Sequence, residues 1–241
     1  MNKKLMTLVF GLLLLVGLTA CGGNGEEAKK DNKKNNGPAA VVNGEEIPRK
    51  EFEKNYDMAK SQYEQMGMDL KGKEKQIKKS VVDQMIDSEL LVQYAKDSGI
   101  KVDDNKVDEE YKKFTDQFEK EEQMDKFLKQ NNLKKDELKP LLKESLMVQK
   151  YIDENTEEPK VSEEELKKQY DQYVEQQKQM QKQAEKKAEE SGQEGQQQQE
   201  IPEYEEMKDS LKQQMVQSKK DEQVQKLVQE LRDDSEIEVN V

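Results

Sequence analysis

Beyond residue 21, apolar side chains in this sequence recur mostly at three- and four-residue steps, a spacing that fits amphipathic helix and little else. Phe52, Tyr56, Ala59, Tyr63 and Met66 form one stripe, with Gly67 and Gly72 bracketing a break. Val81, Val82, Met85, Ile86, Leu90, Tyr94 and Ala95 form a broader face that ends before Gly99, a residue suited to a left-handed helix cap. Asp103 can cap a third helix carrying Val107, Tyr111, Phe114 and Phe118. A short helix around Met124, Phe127 and Leu128 leads to Leu133. Asp136 opens another, with Leu138, Leu141, Leu142, Leu146, Val148 and Ile152 along one side and Pro140 tolerated within its first turn. These helices predict a bundle over residues 45–155, with Phe114 and Phe118 read as core.

A longer pair follows. Ser162 and Glu165 make a capping-box pattern. Behind them a helix of about 28 residues, roughly 40 Å long, carries Leu166, Tyr170, Tyr173, Met180, Ala184 and Ala188. The glutamine-rich stretch 191–201 reads as a loop. The return helix, starting near Pro202, places Tyr204, Met207, Leu211 and Met215 on one face. Val224, Leu227, Val228 and Leu231 fall on nearly the opposite face, which predicts two successive packing partners. Residues 163–215 are thus expected to form a protruding helical arm.

Two stretches depart from the helical spacing. In "VVNGEEIP" the Asn43-Gly44 pair is a strong signal for a type I′ turn between Val41-Val42 and Ile47, with Pro48 fitting the first turn of the next helix. In the closing "SEIEVNV", Ile237, Val239 and Val241 alternate as a half-buried strand whose obvious partner is that hairpin. The expected fold is mainly α, with a small β element joining the N-terminal hairpin to the C-terminal strand.

The first 20 residues are a signal peptide by pattern: Lys3 and Lys4, an apolar run too short to span a bilayer, then small residues. Leu18-Thr19-Ala20-Cys21 resembles a bacterial lipobox, which implies cleavage between Ala20 and Cys21 and lipid attachment at Cys21. Residues 21–38 read as a lipidated flexible tether, since they hold almost nothing apolar. The expected location is the extracytoplasmic face of the cell membrane.

Composition excludes several chemistries. The apolar fraction is 32%, and 14 of those residues lie in positions 1–21, which is thin for one compact core. Removing residues 1–20 takes away two lysines and moves the net charge from −12 to −14, so nucleic acid is not an expected partner. There is no histidine, and with the single cysteine lipidated no thiol nucleophile or zinc set remains. No cofactor, metal or catalytic residue is expected.

The ordered segments "VVNGEEIPRKEFEKNY", "VVDQMIDSELLVQYAKDSGIKVDDNKVDEEYKKF", "LKKDELKPLLKESLMVQKYI", "VSEEELKKQYDQY" and "EYEEMKDSLKQQMVQSKKDEQVQKLVQELRDDSEIEVNV" resemble the PrsA foldases and SurA chaperones. The resemblance implies one chaperone domain over 39–241. In such foldases the helix at 163–174 usually leads into a parvulin isomerase domain, whose histidines have no counterpart here. The implied function is an extracytoplasmic chaperone for unfolded or nascent secreted proteins, without its own isomerase site. A structural or adaptor lipoprotein that binds through the arm is the alternative, and a prolyl isomerase a further one. A homodimer is compatible with the sequence. Met58, Tyr63, Met66, Met68, Met147 and Tyr151 lie off the main helical stripes or at loose ends. They are the candidate client-binding residues, because flexible thioethers fit irregular partners.

Overall fold

The computed structural model describes residues 37–131, 133–191 and 201–241. The signal peptide, Cys21, nearly all of the tether and most of the glutamine-rich loop lie outside them. The described chain forms β1 (Ala40–Val42), β2 (Glu45–Ile47), α1 (Arg49–Gln65), α2 (Glu74–Asp97), α3 (Asp104–Thr115) and α4 (Glu121–Gln130). A 3-10 turn (Lys135–Glu137), α5 (Leu138–Asn155), α6 (Glu163–Ser191), α7 (Tyr204–Asp233) and β3 (Ile237–Val239) complete it. The fold is therefore mainly α with one small sheet. The chain divides into two compact units: one comprises the described residues up to Asn155 together with Leu227–Val241, the other Thr156–Lys226.

In the first unit the hairpin forms as its Asn-Gly pair predicts, with Asn43 at φ 52° and Gly44 at φ 89°. β1 is the middle strand, antiparallel to both neighbours in the order β2-β1-β3, and Val42 faces Glu45 on one side and Ile237 on the other. The expected pairing of the C-terminal strand with the hairpin is thus realised. Ala40 and Val42 are buried, while Val239 and Val241 are exposed, so the expected half-burial of the last strand holds only at Ile237. Arg49 fastens this edge: Nε donates to the Gly37 carbonyl at 3.0 Å, and Nη2 to those of Pro38 at 3.1 Å and Asn240 at 2.8 Å.

α2 is the core helix of this unit. Ile77, Val81, Val82, Ile86, Leu90, Leu91, Val92 and Ala95 are buried along it, and Ile86, Leu90, Val42 and Val82 are the largest side chains wholly sealed from solvent. Gly99 follows at φ 71°, as a left-handed cap requires. Arg232 near the end of α7 ties onto α2, donating from Nε to Asp87 Oδ1 at 2.5 Å and from Nη2 to the Asp83 carbonyl at 3.0 Å.

Some boundaries differ from the sequence reading. Pro48 is the residue before α1, extended at ψ 132°, instead of its first turn. α3 stops at Thr115, so Phe118 lies beyond the helix. The helix expected from Asp136 begins with the 3-10 turn, and Glu137 reaches back to accept from the Lys134 N–H at 2.9 Å. Tyr151, expected outside the core face of α5, is buried at 8% exposure. The covered positions run Leu138, Leu142, Val148, Tyr151. The six-residue step in that series rotates the covered face by about a third of a turn, from the cluster of Phe114, Met124 and Leu128 towards Tyr94 on α2.

The second unit is a helical hairpin. Its capping box forms in full: the Ser162 N–H and hydroxyl donate to Glu165 Oε2 at 2.8 and 2.9 Å, and the Glu165 N–H donates to the Ser162 hydroxyl at 3.2 Å. Lys219 on α7 donates to the other oxygen at 2.6 Å, and with the Ser162 donors it holds the Glu165 carboxyl down at about 2. Leu166 and Leu211 are buried, Tyr170 and Tyr204 meet edge to face at 5.5 Å, and the Tyr170 hydroxyl donates to the Pro202 carbonyl at 3.0 Å. The expected stripe is corrected at Met180, which is 46% exposed. The more covered positions here are Leu166, Tyr170, Tyr173, Val174, Gln177 and Gln181, a line that drifts around the helix and away from Met180. α7 passes from one unit to the other at Lys226–Leu227, within its second apolar series.

One buried group works against the fold. Glu89 is 4% exposed, accepts from Gln93 Nε2 at 2.6 Å through Oε1, and leaves Oε2 with no hydrogen bond. Burial pushes its carboxyl above the usual 4.5, with the Gln93 bond and Lys96 opposing and Glu45 and Glu144 adding to the rise. Below the unfolded value the group is neutral in both states. As pH rises through the elevated folded value, ionisation at a buried site destabilises the fold. Glu89→Gln keeps an acceptor for Gln93 and removes the charge. Its melting temperature should exceed the parent's near neutral pH, with the gap closing as acidity enters the carboxylate range. An equal gap at both acidities would exclude this account.

Candidate functional site

The candidate residues were chosen for exposed, adaptable apolar surface, and four of the six lie on one short segment. α1 buries a single side chain, Phe52, near its start. Phe52 stacks on Tyr56 at 6.3 Å, and the Lys78 ammonium of α2 sits 5.7 Å from the Tyr56 ring centre. Towards the C-terminus that anchoring fades. Met58 is 47% exposed, Met66 54% and Met68 41%, while Tyr63 is half-buried.

The helix end is built to hold this arrangement. Gly67 sits at φ 72° directly after the C-cap residue Met66. Its N–H donates to the Glu64 carbonyl at 3.0 Å, and the Met68 N–H returns to the Tyr63 carbonyl at 3.1 Å. This pair of bonds is the glycine-dependent helix ending in which the residue after the glycine is folded back towards the last turn. Met68 is thereby kept close to Tyr63 instead of trailing away.

The other two candidates separate from these. Both are on α5, where Met147 is half-buried and Tyr151 buried. Burial pushes the Tyr151 phenol up from its ordinary value, with Tyr94 beside it adding to the rise. Tyr151 is a packing residue.

A second apolar feature lies where Phe118 leaves α3. Phe114, Phe118 and Phe127 form a three-ring cluster with centres 5.3, 5.9 and 5.5 Å apart. Phe118, Tyr111, Thr115 and Met124 line a recess of about 240 Å³, with Lys120, Glu121 and Lys135 around it. Reading Phe118 as part of the α3 stripe hid this recess. The available signal was Asp116, a poor helix residue placed just before it. Among the described residues, no group of His, Cys, Asp or Glu side chains is placed to hold a metal ion.

Residues 1–152 match the SurA-like N-terminal domain family. The chain belongs to that family. It is also 31% identical over 185 residues to the foldase protein PrsA of Caldanaerobacter subterraneus subsp. tengcongensis, a match covering 73% of this chain and 53% of that protein. A foldase protein PrsA of Clostridium botulinum (strain 657 / Type Ba4) is 28% identical over 185 residues, covering 71% and 54%. The chain spans about half the length of these curated relatives. No solved structure matches it. The PrsA/SurA-type assignment makes this a member of a chaperone and foldase family, and among the described residues three of the six exposed large apolar side chains fall between Met58 and Met68.

Substituting Gly67 tests whether that segment depends on its turn. A Cβ there meets nothing within 4 Å, so Gly67→Ala incurs only the left-handed backbone penalty, about 1 kcal/mol. A urea titration should show that loss, and amide exchange at Met68 should quicken. Unchanged Met68 exchange would mean the returning hydrogen bond does not hold the segment.

Proposed function

We propose that this PrsA/SurA-type chain is a lipid-tethered, extracytoplasmic holding chaperone with no isomerase site of its own. Unfolded or nascent secreted proteins adhere transiently to its exposed methionine surface. The observation that carries this reading is the nature of what is exposed. Among the described residues, four of the six exposed large apolar side chains are methionines, and three of these fall between positions 58 and 68. Methionine has three rotatable bonds and a polarisable sulfur, so a cluster of it fits many partners without close shape matching.

Membership in a family whose named relatives are foldases supports the protein-folding role. The lipobox-like Leu18-Thr19-Ala20-Cys21 supports tethering, since two acyl chains suffice for stable attachment to a bilayer. The missing histidines support the proposal of no isomerase site, because the parvulin domain that the resemblance places in longer foldases uses them. A net charge of −14 once residues 1–20 are removed from the −12 chain keeps such a molecule dispersed and away from nucleic acid.

Holding is measured by light scattering from an aggregating unfolded protein. The full chain should suppress the signal at near-stoichiometric ratio, and a variant combining Met58→Ser, Tyr63→Ser, Met66→Ser and Met68→Ser should lose most of that suppression while keeping its helical circular dichroism. Retained suppression in that variant would move the client surface elsewhere, with the Tyr111–Phe118–Met124 recess next in line. No suppression by the parent, with stoichiometric capture of one folded partner, would favour an adaptor. Rate enhancement on a proline peptide would restore an isomerase.

Tethering is tested separately. Cys21→Ser should shift the protein from the membrane fraction to the soluble fraction and abolish incorporation of labelled fatty acid. A membrane-bound Cys21→Ser protein would rule out the lipid anchor.

A further inference from the structure

We infer that Met58, Met66 and Met68 form an oxidant-sensitive modification site, at which peroxides convert the thioethers to sulfoxides and switch off client holding. The inference rests on the proposed holding function. In each event the sulfur lone pair attacks one peroxide oxygen, the O–O bond breaks, and an S–O bond forms. The departing hydroxide takes up a proton as water. Sulfur is oxidised by two electrons and the peroxide is reduced.

Composition directs such oxidants to these sulfurs. The chain has no tryptophan and no histidine, one cysteine, and eleven methionines. The cysteine, Cys21, carries the lipid under the proposal above, so thioethers are the main remaining targets. Access then selects among them. Met58, Met66 and Met68 are 47%, 54% and 41% exposed, whereas Met124 is 4% exposed in the core, and Met85, Met147, Met207 and Met215 are half-buried.

Consequence follows from placement. A sulfoxide replaces an apolar side chain by a polar, chiral one. At Met124 that change would enter the core formed with Phe114, Leu128, Leu133 and Leu138. At the three exposed positions it meets no core, since α1 buries only Phe52. The segment's apolar surface is removed while the fold stays intact. The turn at Gly67, which uses backbone groups alone, is untouched.

The test treats the full chain with graded hydrogen peroxide and follows each methionine by peptide mass spectrometry beside aggregation suppression and far-ultraviolet circular dichroism. Sulfoxide should form at positions 58, 66 and 68 about tenfold faster than at Met124. Suppression should fall in step with occupancy of those three sites, by about twofold or more at completion, with helicity unchanged. Met180→Leu removes the one other exposed methionine among the described residues and should leave the peroxide sensitivity as it was. A chain carrying Met58→Leu, Met66→Leu and Met68→Leu should keep the same suppression after peroxide as in its own untreated sample. Equal oxidation of Met124, loss that tracks Met180 or the half-buried methionines, loss of helicity with activity, or full suppression with all three sites oxidised would each overturn the inference. Failure of the untreated parent to suppress aggregation would instead overturn the holding function beneath it, leaving the order of sulfur oxidation to be read on its own.

Discussion

Asn43 joins parts of the chain that are nearly two hundred residues apart. Its amide donates to Gln93 Oε1 at 2.9 Å and to the Ser235 hydroxyl at 3.1 Å, while its side-chain oxygen accepts from the Glu236 N–H at 2.9 Å. Its own N–H donates to the Glu236 carbonyl at 2.8 Å. Gln93 completes the connection by donating to the Val42 carbonyl at 3.0 Å and to Glu89. One turn residue thus links the hairpin, the core helix and the last strand, and the left-handed conformation at Asn43 and Gly44 aims it there. Closing a long loop is only slightly costlier than closing a shorter one, because the entropy grows with the logarithm of length. The sheet can therefore hold the chain's return while residues 156–226 form a unit of their own.

The same network explains a local cost. Gln93 must orient both amide hydrogens, one to Val42 and one to Glu89, and Glu89 supplies the acceptor from within a face otherwise occupied by Ile86, Leu90 and Val92. A buried carboxyl is destabilising alone and tolerable as the end of a hydrogen-bond chain. Through Gln93, that chain ties β1 and its turn to α2.

Most of the fold was legible because its signals are local and unambiguous. The Asn43-Gly44 turn, the Ser162–Glu165 box and the Gly99 cap each involve residues whose backbone or spacing allows one reading. The misreadings come from assuming that a stripe continues straight. α3 ends before Phe118, the covered line on α6 turns away from Met180, and α5 changes partner between Leu138 and Tyr151, so straight stripes misplace all three. Periodicity states which residues can share a face, and only the neighbouring elements decide where that face rotates. The candidate surface was legible for the same reason in reverse. Met58 lies off the α1 stripe, and Met66 and Met68 lie at its loose end beside a glycine break, where all three are exposed.

That link between poor packing and exposure also bears on how the surface behaves. α1 is held by Phe52 and the Tyr56–Lys78 contact near its start, and by a glycine turn made of backbone bonds at its end. Few buried apolar contacts and solvent-exposed backbone bonds put such a segment at the low-stability end of a fold. A rigid apolar patch would favour partners of one shape and would attract copies of itself. Side chains with free rotamers on a lightly held helix end can follow the contour of whatever lies against them, and each weak contact releases readily. The thin apolar composition fits the proposed role: the greasy residues go first to α2 and the sheet, and among the described residues four of the six large apolar side chains left exposed are flexible thioethers.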